Sequence, residues 1–225
     1  DADARARRKL CRTVPVTAPT RRIVIAIDGP AASGKGTLAR RVAQHYGCAY
    51  LDTGSLYRAV GQAVLQAGGD PADGKTALAA AEALDISAID EAAIRTRQAG
   101  SAASLVAAMP PVRAAILGLQ RDFAENPPAG AKGAVLDGRD IGTVVCPEAD
   151  VKLFVTARPQ VRAHRRWLEL KGSGSEADET QILEEIEERD RRDAGRSASP
   201  MKRAEDAHLL DTSNLSIEAA FDAAV

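Results

Sequence analysis

Residues 29–37 read Gly-Pro-Ala-Ala-Ser-Gly-Lys-Gly-Thr and fit the spacing G-x-x-x-x-G-K of a phosphate-binding loop. Glycines let the backbone curl so that successive N–H groups point inward, and Lys35 adds a full positive charge. The loop opens an amphipathic segment, so the N-terminus of a helix adds partial positive charge. We therefore predict that the loop binds the β- and γ-phosphates of a nucleoside triphosphate. The predicted contacts are Gly29, Pro30, Ala31, Ala32, Ser33, Gly34, Lys35, Gly36 and Thr37.

The hydroxyl residue of this loop, Thr37, stands one place later than in the general pattern. We expect a Mg²⁺ ion near Thr37 and Asp137, held largely by phosphate oxygens and water rather than by protein ligands. Asp28 and Asp137 each end a predicted strand beside the loop. Either carboxylate is a candidate for orienting metal-bound water, and each is equally a candidate for capping a turn.

Arginines form a second group of candidates, because the planar guanidinium binds phosphate at two points. One lies in the second predicted helix, and Arg139 follows a predicted strand, where α/β sheets bind ligands. Arg189, Asp193 and Arg196 are spaced i, i+4 and i+7 and are predicted to share one helix face, although a solvated helix with ion pairs has the same pattern. The candidates are Arg58, Arg139, Arg189, Arg192 and Arg196, together with the neighbouring Asp140 and Asp193.

Two motifs that specify other phosphate chemistry are missing from the sequence. Asn126 and Asn214 are the only asparagines, and neither belongs to the N-K-x-D of guanine recognition. The L-S-G-G-Q of transporter ATPases is also missing. Regulatory GTPases and transporter motors are therefore unlikely classes on sequence grounds alone.

The order of apolar segments predicts the elements that carry these residues. The β-branched run "RRIVIAID" is typical of a strand buried on both faces, and "TLARRVAQHYG" of a helix that ends at Gly47. Short apolar runs then alternate with helical ones to the C-terminus. This order predicts an α/β three-layer sandwich with a mainly parallel central sheet. Alanine-rich residues 70–130 are predicted to form a helical lobe, broken at Gly100, Pro110 and Pro127.

Composition limits the other possibilities. A net charge of −1 over 225 residues gives no reason to expect binding to nucleic acid or to a membrane surface. Cys11, Cys48 and Cys146 are far apart and suggest no disulfide framework, which is typical of the cytoplasm. Residues 1–22 are predicted to be a disordered tail, with a nucleic-acid arm as the alternative, and residues 23–225 to form the folded domain.

With these residues assembled, the chain closely resembles the bacterial cytidylate kinases, a family of nucleoside monophosphate kinases. The resemblance runs from about Ile23 to the C-terminus. It rests on an ordered series of segments, which is far more specific than any one of them. The segments are "DGPAASGKGT", "LDTGSLYR", "IRT", "AAS", "VAAMPPVR", "DGRDIGTVVCPEA", "RAHRR", "ERDRRD" and "LLDTS".

The resemblance implies that a monomeric enzyme transfers the γ-phosphoryl group of ATP to CMP or dCMP. It also implies roles for residues at the matching positions. Thr53, Gly54 and Tyr57 would lie next to the cytidylate, and Ser104, Arg113 and Asp140 would read the cytosine. Arg58, Arg139 and Arg196 would clamp the acceptor phosphate, and Arg189 with Asp193 would bind the ribose. The residues implied to act directly in transfer are Lys35, Arg139, Arg192 and Arg196.

Two mobile parts are implied as well: an NMP-binding lobe at about residues 70–130 and a lid at about residues 158–175. Arg162, Arg165 and Arg166 of the lid would close over ATP. The chain departs from the family pattern before "IRT", where a strand-bearing insertion is common and only a short link is present here. We expect activity to survive this reduction, and the sequence leaves open how well the chain discriminates between acceptor nucleotides. A nucleotide sensor without catalysis, or a kinase for another monophosphate or a small alcohol, are the alternatives.

Overall fold

The computed structural model describes residues 22–172, 174 and 176–225. The predicted tail therefore lies outside the described residues except for Arg22, whose guanidinium donates a hydrogen bond to the carbonyl oxygen of Pro127 at 3.3 Å. Five parallel strands form one sheet in the order β2-β3-β1-β4-β5. The strands are β1 (Ile23–Asp28), β2 (Ala49–Asp52), β3 (Gly133–Gly138), β4 (Val151–Thr156) and β5 (His208–Asp211).

Eight α-helices connect and cover these strands in the part of the chain that the structure describes. They are α1 (Lys35–Tyr46), α2 (Thr53–Gln66), α3 (Gly74–Glu82), α4 (Arg97–Val106), α5 (Pro110–Glu125), α6 (Pro159–Gly172), α7 (Glu179–Ala194) and α8 (Ile217–Ala224). Two 3-10 turns, Ile86–Ala88 and Ala93–Arg95, lie between α3 and α4. A short π-helix, Ile141–Val145, follows β3.

Apolar side chains on the two faces of the sheet form two separate cores. Ile25 and Ile27 of β1 pack with α1 and with Phe221 of α8 on one face. Ala26 of the same strand belongs to the core with helices α2 to α5 on the other face. The strand is therefore buried on both sides, and the predicted three-layer α/β sandwich with a parallel sheet is confirmed.

The segment between β2 and β3 is helical, as its composition predicts. Residues 70–130, all of which the structure describes, contain no strand, so the link before "IRT" is short. Pro110 begins α5, and Pro127 follows its end. The predicted break at Gly100 is wrong, because this residue lies inside α4. Thr96 caps that helix, its hydroxyl accepting a hydrogen bond from Ala99, and buried alanines pack its face, so the intrinsic cost of one glycine is overcome.

Helices α6 and α7 pack against each other around a small third core. Buried Ala163 of α6 meets Ile182 and Ile186 of α7, with Trp167 partly buried beside them. Among the described residues, no single helix is long and apolar enough to cross a bilayer, and only α4 and α5 pass that test together, as a pair bent by 103°.

Candidate active site

The predicted phosphate-binding loop joins β1 to α1. Gly29 has a φ of +151° and leaves no room for a side chain, since a Cβ atom there would lie 2.0 Å from the carbonyl oxygen of Val155. Ala32 and Gly34 have φ values of 58° and 89°, so the loop turns through the left-handed region twice. This backbone places Lys35 in the first turn of α1. Burial, and then the charge of Arg139, lowers the pKa of Lys35 to about 8, so its ammonium favours an anionic partner.

Carboxylates lie beneath this loop at the ends of β2 and β3. Asp137 accepts a hydrogen bond from the hydroxyl of Tyr50 at 3.1 Å. Its Oδ2 atom lies 3.1 Å from the position that a Cβ of Gly36 would occupy. Burial raises the pKa of Asp137, and the charge of Lys35 opposes that shift. Asp52 at the end of β2 lies with Asp137 in the lining of a cavity that opens beside the loop. Carboxylate oxygens of the kind that bind Mg²⁺ therefore lie next to the predicted phosphate site.

Asp28 at the end of β1 has a different role from Asp137. Its two carboxylate oxygens accept hydrogen bonds from the backbone N–H groups of Ile141 and Gly142, each at 2.8 Å. Of the two roles that the sequence left open, the structure supports the capping one. Burial raises the pKa of Asp28 to about 6 even though both hydrogen bonds oppose the shift. Asp28 thus holds the turn that carries Arg139 and Asp140.

A cavity of about 190 Å³ opens beside the phosphate-binding loop. It is bounded by the loop and α1, β2 and α2, α4 and the start of α5, β3 and the turn after it, and the end of α7. Every residue predicted to contact the acceptor nucleotide lines it. These are Thr53, Gly54, Tyr57, Arg58, Ser104, Arg113, Arg139, Asp140, Arg189, Asp193 and Arg196.

At one end of this cavity, two polar atoms are buried without a hydrogen-bond partner among the described residues. Arg113 pairs with the buried carboxylate of Asp140 and donates a second hydrogen bond to the carbonyl of Ala107 at 3.2 Å. Its guanidinium also lies 5.4 Å from the centre of the Tyr57 ring. Within the described residues, the Oγ of Ser104 and the Nε of Arg113 are buried without a hydrogen-bond partner. Buried polar groups are normally paired, so this end is suited to a polar planar ligand.

Three arginines meet one carboxylate at the other end. The Nε of Arg139 donates to Oδ2 of Asp193 at 2.8 Å, Arg196 pairs with Oδ1, and the Nε of Arg189 lies 3.9 Å from Oδ2. Burial opposes ionisation of Asp193, but Arg139 and Arg196 hold its pKa below the usual range. Arg58 lines the same cavity, so these guanidinium groups outnumber the carboxylate of Asp193, and the excess positive charge suits a phosphate.

The predicted placement of Arg196 on the same helix as Arg189 is wrong, because α7 ends at Ala194. Gly195 follows the helix, and Arg196 reaches Asp193 from the next segment. The three residues nevertheless converge, as the spacing indicated. Thr53 lines the first cavity, and its hydroxyl also donates to the carbonyl of Asp137 at 2.7 Å and so joins α2 to β3.

A second, larger cavity of about 1590 Å³ adjoins the first one. It extends from the phosphate-binding loop along α6 and α7 to the start of α8, and Lys35, Arg58 and Arg189 line both cavities. Two of the arginines predicted to contact ATP, Arg165 and Arg166, line it, as does Arg192, which is predicted to act in transfer. The two cavities therefore lie side by side and share a boundary.

Arg162 does not lie where the sequence predicts. Its side chain is 3% exposed, and it donates hydrogen bonds to the carbonyl oxygens of Ala157 at 2.9 Å and of Ala31 at 3.1 Å. Its guanidinium also forms a two-point pair with Asp190 of α7. These contacts occupy the guanidinium within the protein, so this structure does not support a direct contact between Arg162 and ATP.

Some residues of the site were not predicted. Arg40 and Asp52 line the first cavity, Arg40 with its guanidinium 5.0 Å from the centre of the Tyr50 ring. A position five residues beyond Lys35 in an amphipathic helix was the available signal for Arg40, but surface arginines share it. No histidine of the chain lines either cavity, and His164 on α6 faces Glu179 at 3.1 Å.

Comparison with known proteins gives a consistent family. A sequence profile described as cytidylate kinase matches residues 25–225. A cytidylate kinase from Rhodospirillum rubrum is 61% identical over 203 residues, which are 90% of this chain and 95% of that protein. One from Rhodopseudomonas palustris is 57% identical, over 90% and 94% of the two chains. A solved structure of an uncharacterized protein from Eubacterium ventriosum aligns over 90% of this chain and 95% of that one, with 14% identity and a TM-score of 0.49. On the strength of the profile and the sequence relatives, the chain belongs to the cytidylate kinase family.

Proposed function

We propose that the protein transfers the γ-phosphoryl group of ATP to CMP or dCMP and releases ADP with CDP or dCDP. The observation that carries this proposal is the pair of adjoining cavities that share Lys35, Arg58 and Arg189. A phosphate bound in the loop and a phosphate bound by the arginine cluster would meet at that boundary. Family membership supports cytosine as the base of the acceptor.

The proposed reaction is an in-line displacement at phosphorus. An oxygen of the acceptor phosphate attacks the γ-phosphorus of ATP, and the bond from that phosphorus to the β–γ bridging oxygen breaks. The attacking oxygen is already ionised, so no strong general base is required. Catalysis then depends on positioning and on neutralising charge, which is consistent with a site that is rich in arginine and lined by no histidine.

Roles for the residues follow from their places in the two cavities. We propose that Lys35 and the loop N–H groups hold the donor phosphates and that Arg165, Arg166 and Arg192 neutralise charge at the outer side of the donor. Arg58, Arg139 and Arg196 would hold the acceptor phosphate. Arg189 and Asp193 would contact the ribose, and Ser104, Arg113 and Asp140 would contact the cytosine.

The residues beside the loop also fit Mg²⁺. Asp137 and Asp52 supply hard carboxylate oxygens, and Thr37 supplies a hydroxyl at the start of α1. In the part of the chain that the structure describes, no three acidic, histidine or cysteine residues form a metal-binding group. The ion would therefore be held by these few oxygens together with phosphate oxygens and water, and it would neutralise charge on the donor phosphates.

We further infer that one chain forms a complete site and works as a cytoplasmic monomer, with CMP and dCMP as its partners rather than a nucleic acid or a membrane. Every residue predicted to contact the acceptor nucleotide lines one cavity of this chain, which supports a site that needs no residue from a second subunit. Residues 70–130 and 158–175 are proposed as the NMP-binding lobe and the lid that move on substrate binding.

The direct test compares the unmodified protein with Lys35→Ala in an assay of ADP formation from ATP, Mg²⁺ and CMP. We expect the variant to lose turnover, because the buried ammonium beside the loop is removed. Unchanged turnover in a folded variant would contradict the proposed site. If the unmodified protein binds ATP but forms no CDP, the sensor alternative replaces this proposal.

A further inference from the structure

Two carbonyl groups of the phosphate-binding loop are held from outside by side chains. The carbonyl of Ala31 accepts a hydrogen bond from Nη1 of Arg162 at 3.1 Å. The carbonyl of Ser33 accepts one from the hydroxyl of Thr212 at 2.9 Å. In a trans peptide the C=O and the following N–H point in opposite directions. Fixing these two oxygens therefore turns the N–H groups of Ala32 and Gly34 away from Arg162 and Thr212.

This orientation needs support, because the loop backbone is not relaxed at this point. Ala32 has a φ of 58°, a left-handed conformation that is uncommon for a residue with a side chain. Such conformations persist when the surrounding contacts determine them. Arg162 supplies such a contact on the peptide directly before Ala32, and its side chain is almost fully buried.

Arg162 is itself held by α7. Asp190 forms a two-point pair with its guanidinium and is only 25% exposed. Asp190 directly follows Arg189 and lies three residues before Asp193, the two α7 residues that line the acceptor cavity. A chain of contacts therefore runs from the loop carbonyl through Arg162 and Asp190 to the helix that carries these two acceptor-site residues.

We propose that Arg162 is a positioning residue of the phosphate-binding loop and that its pair with Asp190 sets the loop relative to the acceptor-site residues on α7. The inference deepens the proposed function. It rests on that function because the function identifies one cavity as the acceptor site and the other as the donor site. It assigns to Arg162 an action through the loop backbone instead of a contact with ATP.

The test is a double-mutant cycle with Arg162→Lys, Asp190→Asn and the double variant, using ADP binding measured by titration calorimetry. Lysine keeps the charge of Arg162 but cannot reach Ala31, Ala157 and Asp190 together. We expect each single variant to raise the Kd for ADP about tenfold. The double variant should raise it by no more than about twentyfold, because both changes break one linkage. Fold is checked by thermal unfolding, and Asp190→Asn, at a partly exposed position, serves if Arg162→Lys does not fold.

Arg191→Ala is the matched control, since Arg191 is a largely exposed arginine on α7 that pairs with Glu188 at 2.7 Å. It should leave ADP binding unchanged, and Arg162→Lys should leave CMP binding without nucleotide donor unchanged. The proposal is overturned if ADP affinity in folded Arg162→Lys stays within twofold, or if the two single effects multiply in the double variant. Failure of the proposed function would instead appear as no CMP phosphorylation by the unmodified protein, whatever the ADP affinities.

Discussion

The Nε atom of Arg139 lies 2.8 Å from Oδ2 of Asp193, although the two residues are 54 positions apart in the sequence. This bond joins the turn after β3 to the last turn of α7 and fixes one arginine of the acceptor cluster. It also partly neutralises the guanidinium while leaving other N–H groups for a ligand. Because Arg139 also lines the first cavity, it is the arginine through which we test the proposed acceptor site.

Replacing Arg139 by alanine should therefore remove transfer without removing the donor site. We expect kcat/KM for CMP to fall by about 10²–10³, the range seen when one preorganised charge-stabilising donor is lost. ADP binding should change by no more than about threefold, since the loop is intact. Steady-state kinetics and calorimetry on the same preparation make the measurement. An equal loss of both quantities would mean that Arg139 supports the whole fold instead of the acceptor site.

Proton uptake should accompany nucleotide binding above neutral pH. The pKa of Lys35 is lowered to about 8, so about three quarters of its ammonium groups are deprotonated at pH 8.5. A bound phosphate raises that pKa and favours the charged form, so protons move from solvent to protein. Calorimetry of ADP binding at pH 8.5 in buffers of different ionisation enthalpy should give an uptake of up to about three quarters of a proton.

Lys35→Met is the control for that experiment. It should abolish the uptake at pH 8.5, and at pH 6.5, where Lys35 is already protonated, no uptake by this group is expected even in the unmodified protein. The same uptake in Lys35→Met at pH 8.5 would show that another group is responsible.

Loss of the Ser104 hydroxyl should affect the acceptor base more than the phosphate. Its Oγ atom is buried without a hydrogen-bond partner among the described residues and lines the end of the cavity that holds Arg113 and Asp140. We expect Ser104→Ala to lower kcat/KM for CMP about tenfold, the effect of one hydrogen bond worth about 1.4 kcal/mol. The ratio of CMP to UMP turnover should fall as well. A variant with an unchanged ratio would place base discrimination elsewhere.

Gly61 and Gly118 both lie in helices, and replacing each by alanine gives a matched pair of variants that tests helix packing. A Cβ atom at Gly61 of α2 would lie 2.7 Å from the Cβ of Ala102 on α4, whereas one at Gly118 of α5 meets nothing within 4 Å. Gly61→Ala should therefore lower the free energy of unfolding by about 1–3 kcal/mol through overpacking. Gly118→Ala should raise it by about 0.5–1 kcal/mol through helix propensity. Urea denaturation of both variants measures this, and similar changes in both would contradict the close approach of α2 and α4.

The fold was largely predictable from the sequence because its signals are local. A buried β-branched strand, a glycine loop and an amphipathic helix follow one another between Ile23 and Tyr46, and each signal depends on neighbouring residues. Gly100 was assigned wrongly because the packing of α4 against the rest of the protein outweighs the weak preference of one glycine. Local signals hold wherever tertiary contacts do not oppose them.

The sequence could predict which residues lie together in the candidate site, but it could not predict the contacts between them. The residues matched by motif order line one cavity, yet no spacing indicates that Asp193 binds Arg139, or that Arg162 faces Ala31 instead of ATP. Those contacts join elements that are distant in sequence, and the sheet order that brings them together is a property of the whole fold. Arg40 and Asp52 were missed for the same reason.

The most direct test of the account is ADP formation from ATP and Mg²⁺, measured separately with CMP, dCMP, UMP, AMP, GMP and no acceptor. We predict a strong response confined to CMP and dCMP. That result would also show that the lobe at residues 70–130, with its short link between α3 and α4, still discriminates between bases. A response to UMP equal to that with CMP would contradict cytosine recognition by Ser104, Arg113 and Asp140. No acceptor-dependent ADP formation, with ATP still bound, would contradict the kinase function itself.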